Sequence, residues 1–281
     1  MTRLRIVHRT GFQYASSATA SYNEARMLPR TQDRQLVLHA RVETSPATHP
    51  STYSDHWGTP VTSFEVLTPH DELSVVATSV VETRAVAPRG REIGWAQLAH
   101  AAATSLDVAE MLMQTHATEP DEQMRELAAQ VRAAHEGIDD AARGICRVVG
   151  EAMTYRRGVT GVSSTARDAW PARAGVCQDI AHVTLGMLRS AGIPARYVSG
   201  YLHPDADPKV GETVTGESHA WVEWFSGQWR GYDPTNLVEI GLSHVFVGVG
   251  RDYADIAPLR GVYAGSGASD MFVSVDITRL E

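Results

Sequence analysis

A change of hydrophobic period partway along the chain constrains the fold more than any other feature. Up to about Ala87, apolar and polar residues alternate in short runs, whereas from about Thr104 the apolar residues recur at helical spacing. A period of two is typical of strands with one buried face, and a period of 3.6 is typical of helices. The sequence therefore predicts an α+β protein with an all-β N-terminal domain over residues 1–87 and a mixed region over residues 88–281. The alternating runs are centred on Leu4 and Ile6, on Leu36 to Val42, on Val61 to Val66 and on Leu73 to Ala77.

Composition excludes several classes of protein. Of the 281 residues, 43% are hydrophobic and 21% are charged, as in soluble globular proteins. The net charge of −8 and the scattered basic residues argue against a nucleic-acid partner. No segment approaches the roughly 20 apolar residues of a membrane span, and the first residues lack the apolar core of a signal peptide. We therefore expect no membrane partner and a cytoplasmic location.

The chain has two cysteines, Cys146 and Cys177. In a reducing cytoplasm both are expected to be free thiols, and their spacing fits no zinc motif. The histidines show no metal-ligand spacing either, so we predict no metal and no cofactor. Cys146 falls in the second of two predicted helices. The first begins at Pro120, with Asp121 and Glu122 near its positive end, and the second carries apolar residues from Ile138 to Ala152. We interpret Cys146 as a buried structural thiol, because a free cysteine behaves as a small hydrophobe.

Cys177 is placed differently, at the start of a predicted helix. The run from Cys177 to Ala191 has apolar residues spaced for a helix packed on one side, and Gly192 with Pro194 marks its end. Unpaired backbone N–H groups and the helix dipole stabilise a thiolate at such a position and can also hold an oxyanion. Cys177 is therefore a candidate nucleophile that requires a base. Asp179 and His182, in the same helix, are predicted to be structural.

A candidate base lies about forty residues further on, in GESHAWVEWFSGQWRGYDPTN. Alternation predicts two strands joined by a three-residue loop, Phe225-Ser226-Gly227. If Trp224 faces Gln228, His219 falls opposite Asp233, and directly opposed side chains share a face. A carboxylate on one ring nitrogen orients an imidazole and leaves its other nitrogen for a thiol. The sequence thus predicts a triad of Cys177, His219 and Asp233. Trp221 shares the face of His219 and is predicted to line the cleft.

The motifs GVCQDIAH, GIPARYVSGY, SHAWVEW and GYDPTN resemble, in this order and spacing, the transglutaminase-like superfamily, in particular bacterial members often labelled cysteine proteases. HRTGFQYASSATASYNEARMLPR resembles the β-rich domain that precedes the core in those proteins. The resemblance implies a papain-like core, in which a helix carrying the nucleophile Cys177 packs on an antiparallel sheet carrying His219 and then Asp233. It also implies an acyl-thioester intermediate with an oxyanion held partly by the Cys177 N–H. Some relatives use an upstream aromatic or amide group as a second donor, and Trp170 is the nearest candidate.

The expected activity is thiol-dependent acyl transfer from a peptide or side-chain amide, with hydrolysis as a cysteine peptidase or amidase. Transfer from protein glutamine to an amine is the alternative within the family. A non-catalytic binding or scaffold module stays open as another class, as does a thiol redox protein, although no second cysteine stands near Cys177 in sequence. The loop over residues 250–255 has either a substrate-binding or a bracing role.

Overall fold

The structure, a computed structural model, describes residues 1–85, 90–205, 208–216 and 218–281. It confirms the α+β class. Proline and glycine in residues 87–90 predict a linker between the two regions. All of this stretch except Gly90 lies outside the described residues. The strands are β1 (Thr2–Ala18), β2 (Ala20–Ala25), β3 (Gln35–Ser45), β4 (Ser51–Ser54), β5 (Pro60–Val66), β6 (His70–Thr83), β7 (Thr154–Tyr155), β8 (Ala174–Gly175), β9 (Ala195–Leu202), β10 (Thr213–Gly216), β11 (Ser218–Phe225), β12 (Trp229–Asp233), β13 (Val238–Glu239), β14 (His244–Gly250), β15 (Leu259–Ala264) and β16 (Ser269–Arg279). The helices are α1 (Trp95–Thr104), α2 (Leu106–Ala109), α3 (Glu122–Ala133), α4 (Ile138–Ala152), α5 (Ala166–Ala172) and α6 (Cys177–Ser190), with short 3-10 turns at Glu110–Leu112 and Tyr253–Asp255.

The N-terminal region forms two antiparallel sheets that also take strands from the end of the chain. The first has the strand order β10-β16-β1-β6-β3, and the second has the order β15-β2-β5-β4. The alternation along β1 and β6 places residues such as Leu4, Ile6 and Val75 in the interior, where each is at most 1% exposed. Alternation over residues 271–280 predicts a closing strand. It is present as β16 and pairs with β1 from Leu4↔Arg279 to Tyr14↔Ser269. Both ends of the chain therefore build one sheet, and a division of domains at residue 87 stays a prediction.

Strand β3 exists where alternation predicted it, but its apolar side is not buried. Leu36 and Leu38 are 45% and 47% exposed. The strand lies at the edge of its sheet, and its pairing with β6 shifts register between Val37 and His39. Gln35 is buried instead, because its amide donates to the carbonyl of Phe246 at 2.7 Å and accepts from the N–H of the same residue at 2.9 Å. A hydrophobic period of two therefore predicts the strand, but it does not show whether another part of the protein covers its apolar side.

A third antiparallel sheet has the order β13-β12-β11-β9-β14, and α6 packs on it, as the papain-like architecture requires. Helices α3 and α4 match the predicted pair, and both contact α6. The Asp121 side chain caps α3 by accepting from the Met124 N–H at 2.8 Å, so Pro120 precedes the cap instead of lying in the first turn. No helix among the described residues is both long enough and apolar enough to cross a membrane.

Helix α6 differs from the expectation of a helix packed on one side, because every residue from Gln178 to Arg189 is buried. Each of its buried polar side chains has at least one hydrogen-bond partner, although Asp179 Oδ1 and His182 Nδ1 have none among the described residues. The Arg189 guanidinium donates to the Ala195 carbonyl and to Thr118 Oγ1 at 2.9 to 3.1 Å, and the Thr184 hydroxyl donates to the Ile180 carbonyl. The helix end is as predicted, with Gly192 in the left-handed region at φ 77°. The nucleophile candidate therefore lies at the partly exposed start of a helix that is otherwise buried as far as Arg189.

Candidate active site

Cys177 is the first residue of α6, and the chain holds that position by a short network. The Asp179 carboxylate accepts from the Val176 N–H at 2.7 Å and from Thr160 Oγ1 at 2.6 Å. Gly175, immediately before, leaves space for this carboxylate, since a Cβ there would lie 2.6 Å from Asp179 Oδ2. The N–H groups of Asp179 and Ile180 already bond the Val176 carbonyl. The N–H of Cys177 precedes them and has no carbonyl one turn earlier in the helix, so it remains a candidate oxyanion donor.

His219, on β11, is hydrogen-bonded to Asp233, at the end of β12, with 2.7 Å between Nε2 and Oδ2. The hairpin that brings them together does not have the predicted register. Phe225 pairs with Trp229 and Trp224 pairs with Arg230, so the loop is Ser226 to Gln228, with Gly227 at φ 97°. This register is two residues away from the predicted one. Because side chains alternate with a period of two, the shift keeps His219 and Asp233 on one face as diagonal neighbours.

Asp233 is fully buried, and each of its two oxygens has protein donors. Oδ1 accepts from the N–H groups of Thr235 and Asn236 at 2.9 and 3.2 Å. Oδ2 accepts from His219, from Asn236 Nδ2 at 2.7 Å and from His244 Nε2 at 3.4 Å. Burial alone raises the pKa of Asp233, but the donors from His219, His244 and Asn236 hold it well below its usual range. The carboxylate is therefore ionised over the physiological range.

The His219 imidazole is placed between this carboxylate and the Cys177 side chain. Burial lowers the pKa of His219, but the hydrogen bonds to Asp233 and Cys177 outweigh it and raise the pKa to about 10. Since Nε2 bonds Asp233, Nδ1 is the nitrogen available to the thiol. The structure thus brings together all three residues of the predicted triad. The geometry suits a thiolate–imidazolium pair, in which the imidazole has taken the proton of the sulfur and can donate it to a leaving group.

A cavity of about 870 Å³ opens beside the triad. Its walls include Cys177, His219 and His244, polar groups of the turn after β12, and apolar side chains such as Leu202 and Leu242. A cavity of this size suits a small ligand or one or two residues of an extended peptide. The lining residues and the volume of this cavity are compatible with a substrate-binding cleft that has Cys177 in its wall.

The two tryptophans predicted at the site are not among the residues lining this cavity. The Trp170 indole, on α5, is buried, donates to Gln123 Oε1 at 2.9 Å and packs under the Arg173 guanidinium. Its N–H is therefore already used and does not serve as an oxyanion donor. Trp221 does share the side of His219, with ring centroids 6.2 Å apart, but it is 1% exposed and packs behind the imidazole.

Three ligand atoms near the triad lie close enough together to hold a metal ion. They belong to His219, Asp233 and His244 and are within 4.8 Å of one another. The expectation of no metal did not consider this group, because its members are distant in sequence. Hydrogen bonds explain why these three atoms lie close together. Both imidazoles donate to the Asp233 carboxylate, and Asn236 and Thr235 supply its other partners. The residues therefore form a complete hydrogen-bonded set without a cation.

The remaining predictions concern structural residues. Cys146 is a free thiol, completely buried on α4, as expected. His182 is buried and accepts from the Tyr253 N–H at 3.2 Å, so it faces the loop over residues 250–255. That loop braces α6, because the Arg251 carbonyl accepts from Arg189 while Arg251 itself pairs with Asp255. None of its residues lines the cavity.

Sequence reasoning missed three supporting residues. Asn236 stands within the quoted GYDPTN motif, and an Asx-type turn after Asp233 could have been predicted from Asp-Pro. Thr160, which bonds Asp179, and His244, which bonds Asp233, carry no local signal. Each contacts the site only because strands and loops distant in sequence are adjacent in the fold.

Comparisons with known proteins agree with this architecture. Two family descriptions match the chain: "Bacterial transglutaminase-like N-terminal region" over residues 4–82 and "Transglutaminase-like superfamily" over residues 125–234. An uncharacterised protein of Mycobacterium leprae is 48% identical over 280 residues, covering 100% of both chains. A solved structure from Cytophaga hutchinsonii, described as "a Putative Cysteine Protease", has a TM-score of 0.78 at 21% identity, covering 100% of this chain and 91% of that one.

A third relative carries an enzyme name. It is a protein-glutamine gamma-glutamyltransferase of Pseudomonas aeruginosa, 32% identical over 120 residues, which are 39% of this chain and 18% of that protein. Together with the fold, these matches identify the class: a bacterial-type β-rich region joined to a papain-like core. The chain belongs to the transglutaminase-like superfamily.

Proposed function

We propose that the protein is a thiol-dependent acyltransferase that cleaves a peptide or side-chain amide, with water as the acceptor. The observation that carries the proposal is that Cys177 and His219 line one cavity and that His219 is hydrogen-bonded to the buried Asp233 at 2.7 Å. The family is consistent with this chemistry, since a relative is described as a protein-glutamine gamma-glutamyltransferase and a solved structure of the same fold is described as "a Putative Cysteine Protease". An intact set of nucleophile, base and carboxylate disfavours a purely structural module.

In the proposed reaction the Cys177 thiolate attacks the amide carbonyl carbon and forms a C–S bond. The carbonyl oxygen becomes an oxyanion near the Cys177 N–H. The C–N bond then breaks as protonated His219 gives its proton to the departing amine, which leaves a thioester. His219 next takes a proton from water, whose oxygen attacks the thioester carbonyl, and the C–S bond breaks to give a carboxylic acid and the thiolate. Asp233 keeps the imidazole oriented throughout.

Transfer to a lysine amine is the second candidate, favoured by the match to the Pseudomonas glutamyltransferase. The first half of the reaction is the same for both, and only the acceptor differs. Peptide or protein is the proposed substrate class in either case. We place the protein in the cytoplasm, where the two free thiols, Cys146 and Cys177, stay reduced.

A screen of glutamine-containing peptides and peptide amides, with and without an added alkyl amine, tests the proposal. Mass spectrometry separates the products: gain of water at the acyl group, release of peptide, or an amide with the added amine. Hydrolysis that Cys177→Ala abolishes is the expected result. Amine incorporation in preference to hydrolysis would replace the first candidate by the second. Turnover that survives in Cys177→Ala, or its absence on every amide tested, would contradict both.

A further inference from the structure

A second imidazole contacts the triad carboxylate. We infer that His244, on β14, is a positioning residue that fixes Asp233 by donating its Nε2 proton to Oδ2. This inference rests on the proposed function and assigns a fourth residue to the same site. The two Nε2 atoms, of His219 and His244, share Asp233 Oδ2 at 2.7 and 3.4 Å.

The tautomer of His244 follows from its other contact. The Gly241 N–H donates to His244 Nδ1 at 3.3 Å, so Nδ1 must carry a lone pair. A neutral imidazole has one N–H, and it therefore lies on Nε2, directed at Asp233. The ring plane is also fixed, since it meets the Trp221 ring edge to face at a centroid distance of 5.3 Å and an angle of 82°. His244 is thus held as a donor before any substrate arrives.

The origin of each donor shows why His244 matters. Thr235 and Asn236 lie in the same turn as Asp233, so their bonds move with the carboxylate and do not fix it relative to the sheet. His219 is the group to be positioned. His244 comes from β14, which lies at the far edge of the sheet order, beyond β9 and β11. Its donor therefore ties the β12 turn to a separate strand.

His244 also separates Asp233 from the cavity. His219, His244, Thr235 and Asn236 all line the cavity, whereas Asp233 does not and has no exposed surface. Water admitted next to the carboxylate would raise the local dielectric and weaken its attraction for the His219 imidazolium. The imidazole of His244 therefore both donates to the carboxylate and keeps water away from it.

Three variants distinguish donation from space filling. His244→Gln keeps an N–H donor of similar reach, His244→Leu keeps volume without a donor, and His8→Gln is a control at another buried histidine that contacts Tyr201 outside the cavity. The readout is the second-order rate of Cys177 alkylation by iodoacetamide near neutral pH, which needs no substrate. Thermal unfolding of each variant shows whether it is folded, and the low-field proton resonance of His219 reports its bond to Asp233.

We expect His244→Leu to slow alkylation about tenfold and to shift or broaden the His219 resonance, because it loses one hydrogen bond to a charged group. His244→Gln retains a donor, so its alkylation rate should stay within about threefold of the parent. The control should leave the rate unchanged. A folded His244→Leu protein that alkylates at the parental rate, or a His244→Gln protein as slow as His244→Leu, would overturn the inference. If Cys177 of the parent is alkylated at the rate of a free thiol, and His219→Ala does not change that rate, the proposed function fails instead.

Discussion

Cys146 and Cys177 both lie on helices of the same core, yet their surroundings give them opposite properties. Cys146 is in the interior of α4, completely buried among apolar residues, and burial raises the pKa of its thiol far above the usual range. Cys177 is the first residue of α6 and is partly exposed at the wall of a cavity that His219 also lines, where it helps to raise the pKa of the His219 imidazole. Position along a helix and one charged neighbour therefore determine what a thiol can do.

Replacing each cysteine by alanine should give the strongest contrast between the two thiols. Cys177→Ala should lower amide turnover by about 10³-fold or more, because the nucleophile of the proposed reaction is lost. Cys146→Ala should leave turnover within about twofold and instead reduce the free energy of unfolding by about 1 kcal/mol, since it leaves a small void in a packed core. Steady-state rates and urea unfolding of both variants provide the measurement. Similar loss of turnover in both would remove the distinction.

A smaller loss of activity is expected from a change at Asp233, whose carboxylate distinguishes the surroundings of Cys177 from those of Cys146. Asp233→Asn keeps the volume but removes the charge that orients and supports the His219 imidazolium, so kcat/KM should fall by about 10²- to 10⁴-fold. Asp270→Asn, at an exposed position on β16, is the matched control and should have no effect. Retained activity in Asp233→Asn would show that the buried carboxylate has no part in catalysis.

The pair of His219 and Asp233 should also affect stability in a pH-dependent way. The pKa of His219 is raised from 6.5 to about 10, so its contribution is fully present below about pH 6.5 and is lost as the pH rises through 10. The unfolding free energy of the parent should exceed that of His219→Gln most near pH 6, and the gap should shrink by about 2 kcal/mol or more towards pH 10.

His8 supplies a control of opposite sign for this titration. Burial lowers the pKa of His8 to about 4, so the parent loses stability as the pH falls from about 6.5 towards 4, and His8→Gln should remove that loss. Urea unfolding of the three proteins at several pH values measures both trends. A gap between the parent and His219→Gln that does not change with pH would contradict an imidazolium at His219.

The smallest effect concerns the start of the nucleophile helix. Asp179→Ala removes the acceptor of the Val176 N–H and should cost about 1 kcal/mol of stability, with a two- to fivefold slower alkylation of Cys177. Asp168→Ala is the matched control, because Asp168 accepts in the same way from the Thr165 N–H at the start of α5. It should cost stability without changing alkylation. Equal alkylation in the two variants would show that the Asp179 cap does not position Cys177.

Much of this site could be predicted because its signals are local. The end of α6 shortly before Gly192 and the start of α3 beside Asp121 depend on residues within a few positions of one another. The shared face of His219 and Asp233 depends on a single hairpin, in which the two residues are 14 positions apart. The hairpin register was wrong by two residues, since Gly227 occupies the middle of the loop instead of its end. His219 and Asp233 still share a face of the sheet, because a shift of two residues equals the side-chain period of a strand.

Other features depended on contacts between distant segments and could not be predicted. The exposed Leu36 and Leu38 follow from the edge position of β3, which no local pattern reveals. Trp170 lies near Cys177 in sequence, but its indole turns to Gln123. His244 reaches Asp233 from β14 across a sheet whose strand order does not follow the sequence.

The most direct test of the contrast between the two thiols is the alkylation of each cysteine against pH, resolved by mass spectrometry in the folded parent and in His219→Ala. At about pH 6 a free thiol with a pKa of about 8.5 is almost entirely protonated. We predict that Cys177 reacts about 10- to 100-fold faster than such a thiol there, that His219→Ala removes this advantage, and that Cys146 stays unmodified until the protein unfolds. A Cys177 that reacts like a free thiol with and without the imidazole would contradict the assignment of Cys177 as an activated nucleophile.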